Sequence, residues 1–369
     1  MSNYKSGRPG RAHYARRQRC ANHHFKSDSG FSMLELLVAL SVTTIVVGAA
    51  FTLIGSSIKF ANATYNTTDA EQGLRTAHEM ISRDLTSAGN GLKGMGMIQM
   101  PKAFVQNYLT KTPIVDSTNP NYVNLALIVS DDNVPTSTAV AQSNPAATVL
   151  AGTDRLTMLT QDTSFNNGQS VTLLAGKITV LGSNTNILVP DVSLFRTGEM
   201  YAISSGNTVA FGVISSIAGS TLTLTNGDSF GINQTGAGTP INVASVGGTQ
   251  PTSLIRLQII HYYLNANNLL MRRVFGVPNT TFVESVVAEH VIALQLRYVL
   301  NLTDANGFVP QPVNQLSLSD QQAVREVETT VAVETARAVN TVSANNNGRQ
   351  AISTTTATSV RNMQFRQAL

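Results

Sequence analysis

Glu35 is an acidic side chain in an unusual position, because it directly precedes 23 residues without a formal charge, Leu36 to Ile58. As an α-helix at ~1.5 Å per residue, this run is long enough to cross the ~30 Å hydrocarbon core of a membrane. Placing a carboxylate in lipid costs a free energy on the order of 2 to 3 kcal/mol unless the carboxylate pairs with a cation. Glu35 is therefore a candidate for binding a cation at the membrane.

The apolar run follows a basic segment, and this order is compatible with more than one fate of the segment. If the chain is not cleaved, the apolar run would serve as a membrane anchor. A secretory signal would be cut after Ala50, where Gly48, Ala49 and Ala50 are small enough for a signal peptidase. The apolar run continues past that point to Ile58, however, and a cut there would give Glu35 no role.

The hexapeptide from Gly30 to Glu35 (GFSMLE) resembles the prepilin peptidase site of type IV pilins and type II secretion pseudopilins. The resemblance implies cleavage after Gly30, N-methylation of Phe31 and a fifth-position glutamate at Glu35. It also implies that Glu35 pairs with the α-amino group of Phe31 in the same or a neighbouring subunit. Such a pair would set the register of one helix against the next in a filament.

The stretch from residue 78 to 91 resembles the end of the first helix in PilW-like minor pilins, where an arginine–aspartate pair and a glycine turn close the helix. Arg83 and Asp84 fit this pattern. The resemblance implies a minor pilin that primes filament assembly and sits at the tip. The implied partners are the prepilin peptidase/methyltransferase, other minor pilins, the major pilin, the assembly platform and the inner membrane. A type II secretion pseudopilin and a tip adhesin remain alternatives.

Charge is distributed unevenly between the leader and the rest of the chain. Residues 1–30 carry seven basic groups against Asp28, a net charge of +6, whereas the remaining residues carry 18 basic and 20 acidic groups. The positive-inside rule then predicts a cytoplasmic N-terminus, one span of the inner membrane and a periplasmic C-terminal domain. Nucleic acid is not an expected partner, because the part beyond the leader has no basic excess.

A helical period continues after the apolar run. Ala70, Leu74, Ala77, Ile81, Leu85 and Ala88 are spaced three or four apart and form one apolar stripe. Glu71, Arg75, Glu79 and Arg83 fall on another face, which is predicted to be solvated. Gly89, Asn90 and Gly91 supply a C-cap. The sequence therefore predicts one helix from Phe31 to about Ala88.

The rest of the chain shows short β-branched runs separated by Asn, Gly, Ser and Pro, which favours strands. Residues 255–264 and 269–274 form a predicted hairpin, followed by predicted strands at 291–299, 324–338 and 359–365.

The predicted fold is α+β, with a long N-terminal helix packed on an antiparallel β-sheet and an inserted small β-barrel-like subdomain. The predicted domains are the cleaved leader 1–30, the transmembrane helix 31–58, its amphipathic continuation 59–90, the β domain 91–164 and 249–369, and the insertion 165–248.

Residue sets that would support catalysis or metal binding are missing from the sequence. It contains no serine-hydrolase elbow, zinc-protease motif or P-loop, and the single cysteine, Cys20, lies in the leader. Asp131 and Asp132 lack the oxygen spacing of a calcium loop. His78, His261 and His290 are scattered over the predicted elements and are expected to be structural. We therefore expect a non-enzymatic protein without a cofactor or metal.

Overall fold

The structure is a computed structural model, and it describes residues 30–92, 98–109, 122–125, 127–135, 148–205, 208–228, 230–233, 251–279, 282–300, 312–317, 323–339 and 348–360. The chain divides into two compact units, Met1–Ile58 and Lys59–Leu369. Nearly all of the predicted leader lies outside the described residues, as does the Gly- and Thr-rich end of the predicted insertion.

The predicted N-terminal helix is confirmed as α1 (Met33–Ser87), 55 residues long. It ends where glycine permits a left-handed backbone. Gly89 has a φ of 75°, and its N–H donates to the carbonyl oxygen of Leu159 at 2.8 Å. Gly91 has a φ of +68°, and a Cβ there would lie 1.7 Å from Oε1 of Gln161. The end of α1 is therefore packed directly against the strand that carries Leu159 and Gln161.

The predicted apolar stripe of α1 is buried from Ala70 onward, as expected from its spacing of three and four residues. His78 and Asp84 are also buried on this part of the helix. The predicted polar face, which comprises Glu71, Arg75, Glu79 and Arg83, is exposed. Burial of the stripe against the sheets, rather than helix propensity, is what stabilises this half of α1.

The part of the chain after α1 is built almost entirely from antiparallel strands. A short helix, α2 (Lys102–Phe104), continues into a π-helical turn at Val105–Leu109. In chain order the strands are β1 (Ile98–Pro101), β2 (Tyr122–Leu125), β3 (Ile128–Asp131), β4 (Arg155–Gln161), β5 (Val171–Leu173), β6 (Ile178–Leu181), β7 (Asn184–Leu188), β8 (Met200–Ser205), β9 (Thr208–Val213), β10 (Ser216–Ala218), β11 (Thr221–Thr225), β12 (Thr252–Leu264), β13 (Leu270–Phe275), β14 (Phe282–Ala288), β15 (Val291–Leu300), β16 (Val324–Glu334) and β17 (Ala351–Ser359).

Among the described residues, the strands form four sheets. The largest contains eight strands and has the core order β14-β13-β12-β4-β3, with β5 and β8 also pairing with β12 and with β9 pairing with β8. A four-stranded sheet has the order β10-β11-β7-β6, a three-stranded sheet has the order β15-β16-β17, and β1 pairs with β2. The long strand β12 is central, because β4 and β13 pair with its second half while β5 and β8 pair with its first half.

The segment predicted as an insertion, residues 165–248, divides between two sheets. Its strands β5, β8 and β9 belong to the eight-stranded sheet, whereas β6, β7, β10 and β11 make up the four-stranded sheet. The fully buried Glu199 ties this segment to β12, since Nη1 of Arg256 lies 2.6 Å from its Oε1. Part of the segment is therefore integral to the main sheet, and a separate domain at 165–248 remains a prediction.

The predicted hairpin is confirmed as β12 and β13, which are joined by a turn in which Asn268 has a φ of 60°. The strands predicted at 291–299 and 324–338 correspond to β15 and β16. The strand predicted at 359–365 lies almost entirely outside the described residues. Directly before that range the structure has β17, which ends at Ser359 and was not predicted. β17 pairs with β16, but its residues are small, rich in threonine and largely exposed. It therefore lacks the apolar alternation by which a strand is recognised in a sequence.

Candidate processing and assembly segment

The residues that precede α1 form an N-terminal cap on the helix. The N–H of Leu34 donates to Oγ of Ser32 at 3.3 Å, and the N–H of Ser32 donates to Oε2 of Glu35 at 3.4 Å. The bond from Ser32 to Glu35 is that of a capping box, with Ser32 as the N-cap and Glu35 as the third helical residue, while Oγ of Ser32 caps the N–H of the second helical residue. Sequence reasoning overlooked Ser32, although a serine three residues before a glutamate is the signal for such a cap. Glu35 thus stabilises the start of its own helix.

The predicted cleavage point is open to an enzyme. Gly30 and Phe31 lie ahead of the helix, and the Phe31 side chain is 79% exposed. Within the part of the chain that the structure describes, no heavy atom lies within 4 Å of a Cβ built on Gly30. The peptide bond between the two residues is therefore accessible, and their roles in cleavage and methylation remain predictions.

The first part of α1 exposes its apolar side chains along its whole length. The most apolar stretch of the helix is of membrane-spanning length, and none of it is buried. Its length and composition suffice to cross a membrane. Exposed apolar side chains include Leu36, Leu40, Ile45, Phe51 and Ile54. Since large exposed apolar surfaces mark contact with lipid or protein, this part of the helix is an interaction surface.

Hydroxyl groups within the apolar part bond to the helix itself. Oγ of Ser41 donates to the carbonyl oxygen of Leu37 at 2.8 Å, and Thr43, Thr44 and Ser56 make the same bond to the residue four positions earlier. These bonds satisfy hydroxyl donors that would otherwise be costly to transfer into hydrocarbon. The serines and threonines of the run are therefore compatible with an apolar environment.

At the other end of α1, the buried Asp84 joins the helix to the main sheet. Its Oδ2 accepts hydrogen bonds from the Tyr262 hydroxyl and from Nε of Arg272, each at 2.6 Å. Tyr262 and Arg272 are directly opposite each other on β12 and β13. Burial and the neighbouring Asp84 carboxylate raise the pKa of Tyr262 far above its usual value, so it remains a hydrogen-bond donor.

The pair of Arg83 and Asp84 seen in the sequence is only a minor part of this arrangement. Nη2 of Arg83 lies 3.5 Å from Oδ1 of Asp84, and the Arg83 side chain is 66% exposed. An exposed pair of this kind contributes little to stability. The dominant partners, Tyr262 and Arg272, were missed because they lie about 180 residues away in the sequence.

The three histidines of the described residues, His78, His261 and His290, lie on different elements of the fold and have different contacts. The buried His261 has Nδ1 2.8 Å from Oγ1 of Thr157, while Nε2 of His78 lies 3.1 Å from the carbonyl oxygen of Thr354. Burial lowers the pKa of both residues. His290 occupies a turn with a φ of 57°. Their contacts are those of structural histidines.

The aspartates considered for calcium binding have protein partners. Asp131 forms a buried ion pair with Arg155, whose Nε lies 2.8 Å from Oδ2 of Asp131. Oδ2 of Asp132 accepts a hydrogen bond from the Asn133 amide at 3.2 Å. Within the described ranges, no group of three or more His, Cys, Asp or Glu residues is arranged to hold a metal ion.

Comparison with known proteins connects the N-terminal segment to a family motif. The prokaryotic N-terminal methylation motif matches residues 25–54, which include Gly30, Phe31 and Glu35. No curated protein matches the sequence. A solved type IV-like pilin from Thermus thermophilus is similar at 11% identity, over 46% of this chain and 87% of that one. The TM-score is 0.20, which is too low for the fold of the globular part to be transferred from it. In its methylation motif and in the long apolar helix that carries it, the N-terminal part of the chain is similar to type IV pilin-like proteins.

Proposed function

We propose that this protein is a minor pilin, a structural subunit that helps to initiate a type IV pilus and lies near its tip. The observation that carries the proposal is the coincidence of the methylation motif with a helix whose apolar residues are exposed. A helix of this kind can reside in a membrane before assembly and pack against other helices in a filament. The motif indicates a structural pilin rather than an enzyme.

The proposed pathway begins with the full chain in the inner membrane, where it has a cytoplasmic N-terminus and a periplasmic C-terminal domain. The prepilin peptidase cuts after Gly30 and methylates Phe31. Glu35 then has two possible partners, its own capping box and the α-amino group of a neighbouring subunit. The amino group carries a full positive charge, so pairing with it in lipid offsets the cost of burying the carboxylate.

Mass analysis of the amino-terminal peptide tests the processing step. A mature chain that begins with methylated Phe31 is expected from membrane extracts of cells with the peptidase. Gly30→Leu should leave the leader attached, whereas Gly55→Leu, which changes a glycine of the same helix with open space around a Cβ, should be processed normally. A mature chain that starts at Met1 or Phe51 would contradict the proposal.

The assembly step is tested separately by changing Glu35. Glu35→Ala should be cleaved and methylated but should be depleted from sheared filaments or from complexes with other minor pilins. Glu71→Ala is a matched control, because it removes an exposed carboxylate from the same helix outside the apolar run. Incorporation of Glu35→Ala at the level of the control would contradict the proposed role of Glu35.

A type II secretion pseudopilin remains the alternative, because the methylation motif is consistent with both machines. Deletion of the gene distinguishes the minor pilin from the pseudopilin. Loss of surface pili with normal protein secretion supports the minor pilin, and loss of secretion with intact pili supports the pseudopilin.

A further inference from the structure

A shallow apolar groove lies between β5 and the base of the β6–β7 hairpin, within the segment predicted as an insertion. It has a volume of about 240 Å³. Its buried residues include Leu173 and Val189, and its exposed leucines are Leu174, at 73%, and Leu188, at 41%. The residues lining it are Thr172, Leu173, Leu174, Lys177, Leu188, Val189 and Pro190. The exposed leucines and the buried floor together form one small, continuous apolar surface.

Two strands contribute residues to the groove, and one of them, β5, is an edge strand among the described residues because it pairs with β12 only. The other, β7, pairs with both β6 and β11. The base of the hairpin is fixed, since the N–H of Leu188 donates to the carbonyl oxygen of Lys177 at 2.9 Å. An edge strand presents unpaired N–H and C=O groups, to which an extended peptide can add by backbone hydrogen bonds. The groove and the free edge of β5 together fit an extended chain.

Lys177 gives the groove a charge preference. It carries the one formal charge among the residues that line the groove, and it has no ion pair with a carboxylate of the described chain. Its half-buried position beside leucines and a proline favours a ligand with a carboxylate next to an apolar side chain. The carboxyl terminus of an apolar peptide has this chemistry, because its last side chain and its charge share one residue.

The small size of the surface favours a peptide over a folded partner. Leu174 and Leu188 together expose roughly 200 Å², well below the ~800 Å² per partner of a standard protein interface. We propose that the groove binds the carboxyl-terminal end of an extended apolar peptide, with the last side chain over Leu173 and Val189 and the carboxylate on Lys177. This proposal does not depend on the machine in which the protein assembles.

The test uses the full-length protein in lipid nanodiscs and fluorescence anisotropy, with empty nanodiscs subtracted. The probe is a labelled hexapeptide of alternating valine and threonine that ends in leucine with a free carboxylate. The same peptide with a terminal carboxamide is the matched probe. Saturable binding of the carboxylate probe is expected below ~1 mM, with an affinity about fivefold higher than that of the carboxamide, as expected for one half-exposed ion pair.

Two variants test separately how the charge of Lys177 and the apolar contact with Leu188 contribute to peptide affinity. In Lys177→Met, the preference for the carboxylate should disappear while the carboxamide binds as before. In Leu188→Ser, both probes should bind at least fivefold more weakly. Val286→Ser is the control, since Val286 is an apolar residue of β14 with a similar exposed fraction, 48%, and its loss should change neither affinity.

The proposal is overturned if the carboxylate probe shows no saturable binding. It is also overturned if the carboxamide binds equally well, or if Lys177→Met keeps the carboxylate preference. Because Lys177 and Leu188 are partly exposed, these variants are expected to fold, and an unchanged thermal transition confirms this in the same samples. Leu174→Ser, at the most exposed residue of the groove, provides a second packing variant if Leu188→Ser unfolds.

Discussion

Replacing Asp84 with alanine should weaken the attachment of α1 to the main sheet. The carboxylate is 5% exposed and accepts hydrogen bonds from Tyr262 and Arg272 at 2.6 Å. Removing one member of a buried ion pair costs about 3 to 5 kcal/mol, because the remaining charge is left uncompensated. The Arg272 side chain is 20% exposed and can recover some hydration. We therefore expect Asp84→Ala to lower the free energy of unfolding by about 2 to 4 kcal/mol.

The measurement is denaturant unfolding of the detergent-solubilised chain, followed by the near-ultraviolet circular dichroism of tyrosine. The sequence has nine tyrosines and no tryptophan, so a tyrosine signal is the appropriate probe. Tyr262→Phe should cost less, about 1 to 2 kcal/mol, because the ion pair with Arg272 remains. Arg83→Ala is the control, and its cost should stay below ~0.5 kcal/mol because its side chain is 66% exposed.

A double-mutant cycle distinguishes the ion pair from general packing. If Asp84 and Arg272 act as a pair, the combined Asp84→Ala, Arg272→Met variant should be more stable than the sum of the single changes predicts. Additive effects, or a loss below ~1 kcal/mol for Asp84→Ala alone, would refute the idea that this carboxylate anchors the helix.

Two further predictions concern the helix terminus and the response to pH. Gly91→Ala should lower the free energy of unfolding by about 2 kcal/mol or more, since φ is +68° and a Cβ would lie 1.7 Å from Oε1 of Gln161. Gly73→Ala within α1 meets no atom and should raise the free energy of unfolding by ~0.5 to 1 kcal/mol. Chemical denaturation measures both changes. Burial raises the pKa of Asp154 to about 6, so protonation between pH 7 and pH 5 favours the folded state by about 1 kcal/mol. Burial lowers the pKa of His261 and His78, so their contribution to stability falls as the pH drops below about 6.5. Asp154→Asn should therefore lose stability more steeply than the native chain on acidification, and equal slopes in unfolding measured from pH 7 to pH 5 would contradict the role of Asp154.

Local patterns predicted those parts of the fold that have a strong period or a strong stop signal. The stripe from Ala70 to Ala88 predicted the helical extension, and the glycines at 89 and 91 predicted its end. The alternation of residues 291–299 predicted β15. β14 and β17 were not predicted, because neither strand has a buried face and both therefore lack the alternation that reveals a strand.

Sequence alone determined the identity of the N-terminal segment, because cleavage, methylation and membrane crossing depend on residues that are adjacent in the chain. Gly30, Phe31 and Glu35 belong to one local motif, and the apolar run needs only length and composition to span lipid. The tertiary structure alone decided which residues hold the helix to the sheets. Asp84 contacts both Tyr262 and Arg272 because β12 and β13 place these two residues directly opposite each other. No local sequence pattern encodes a contact across about 180 residues.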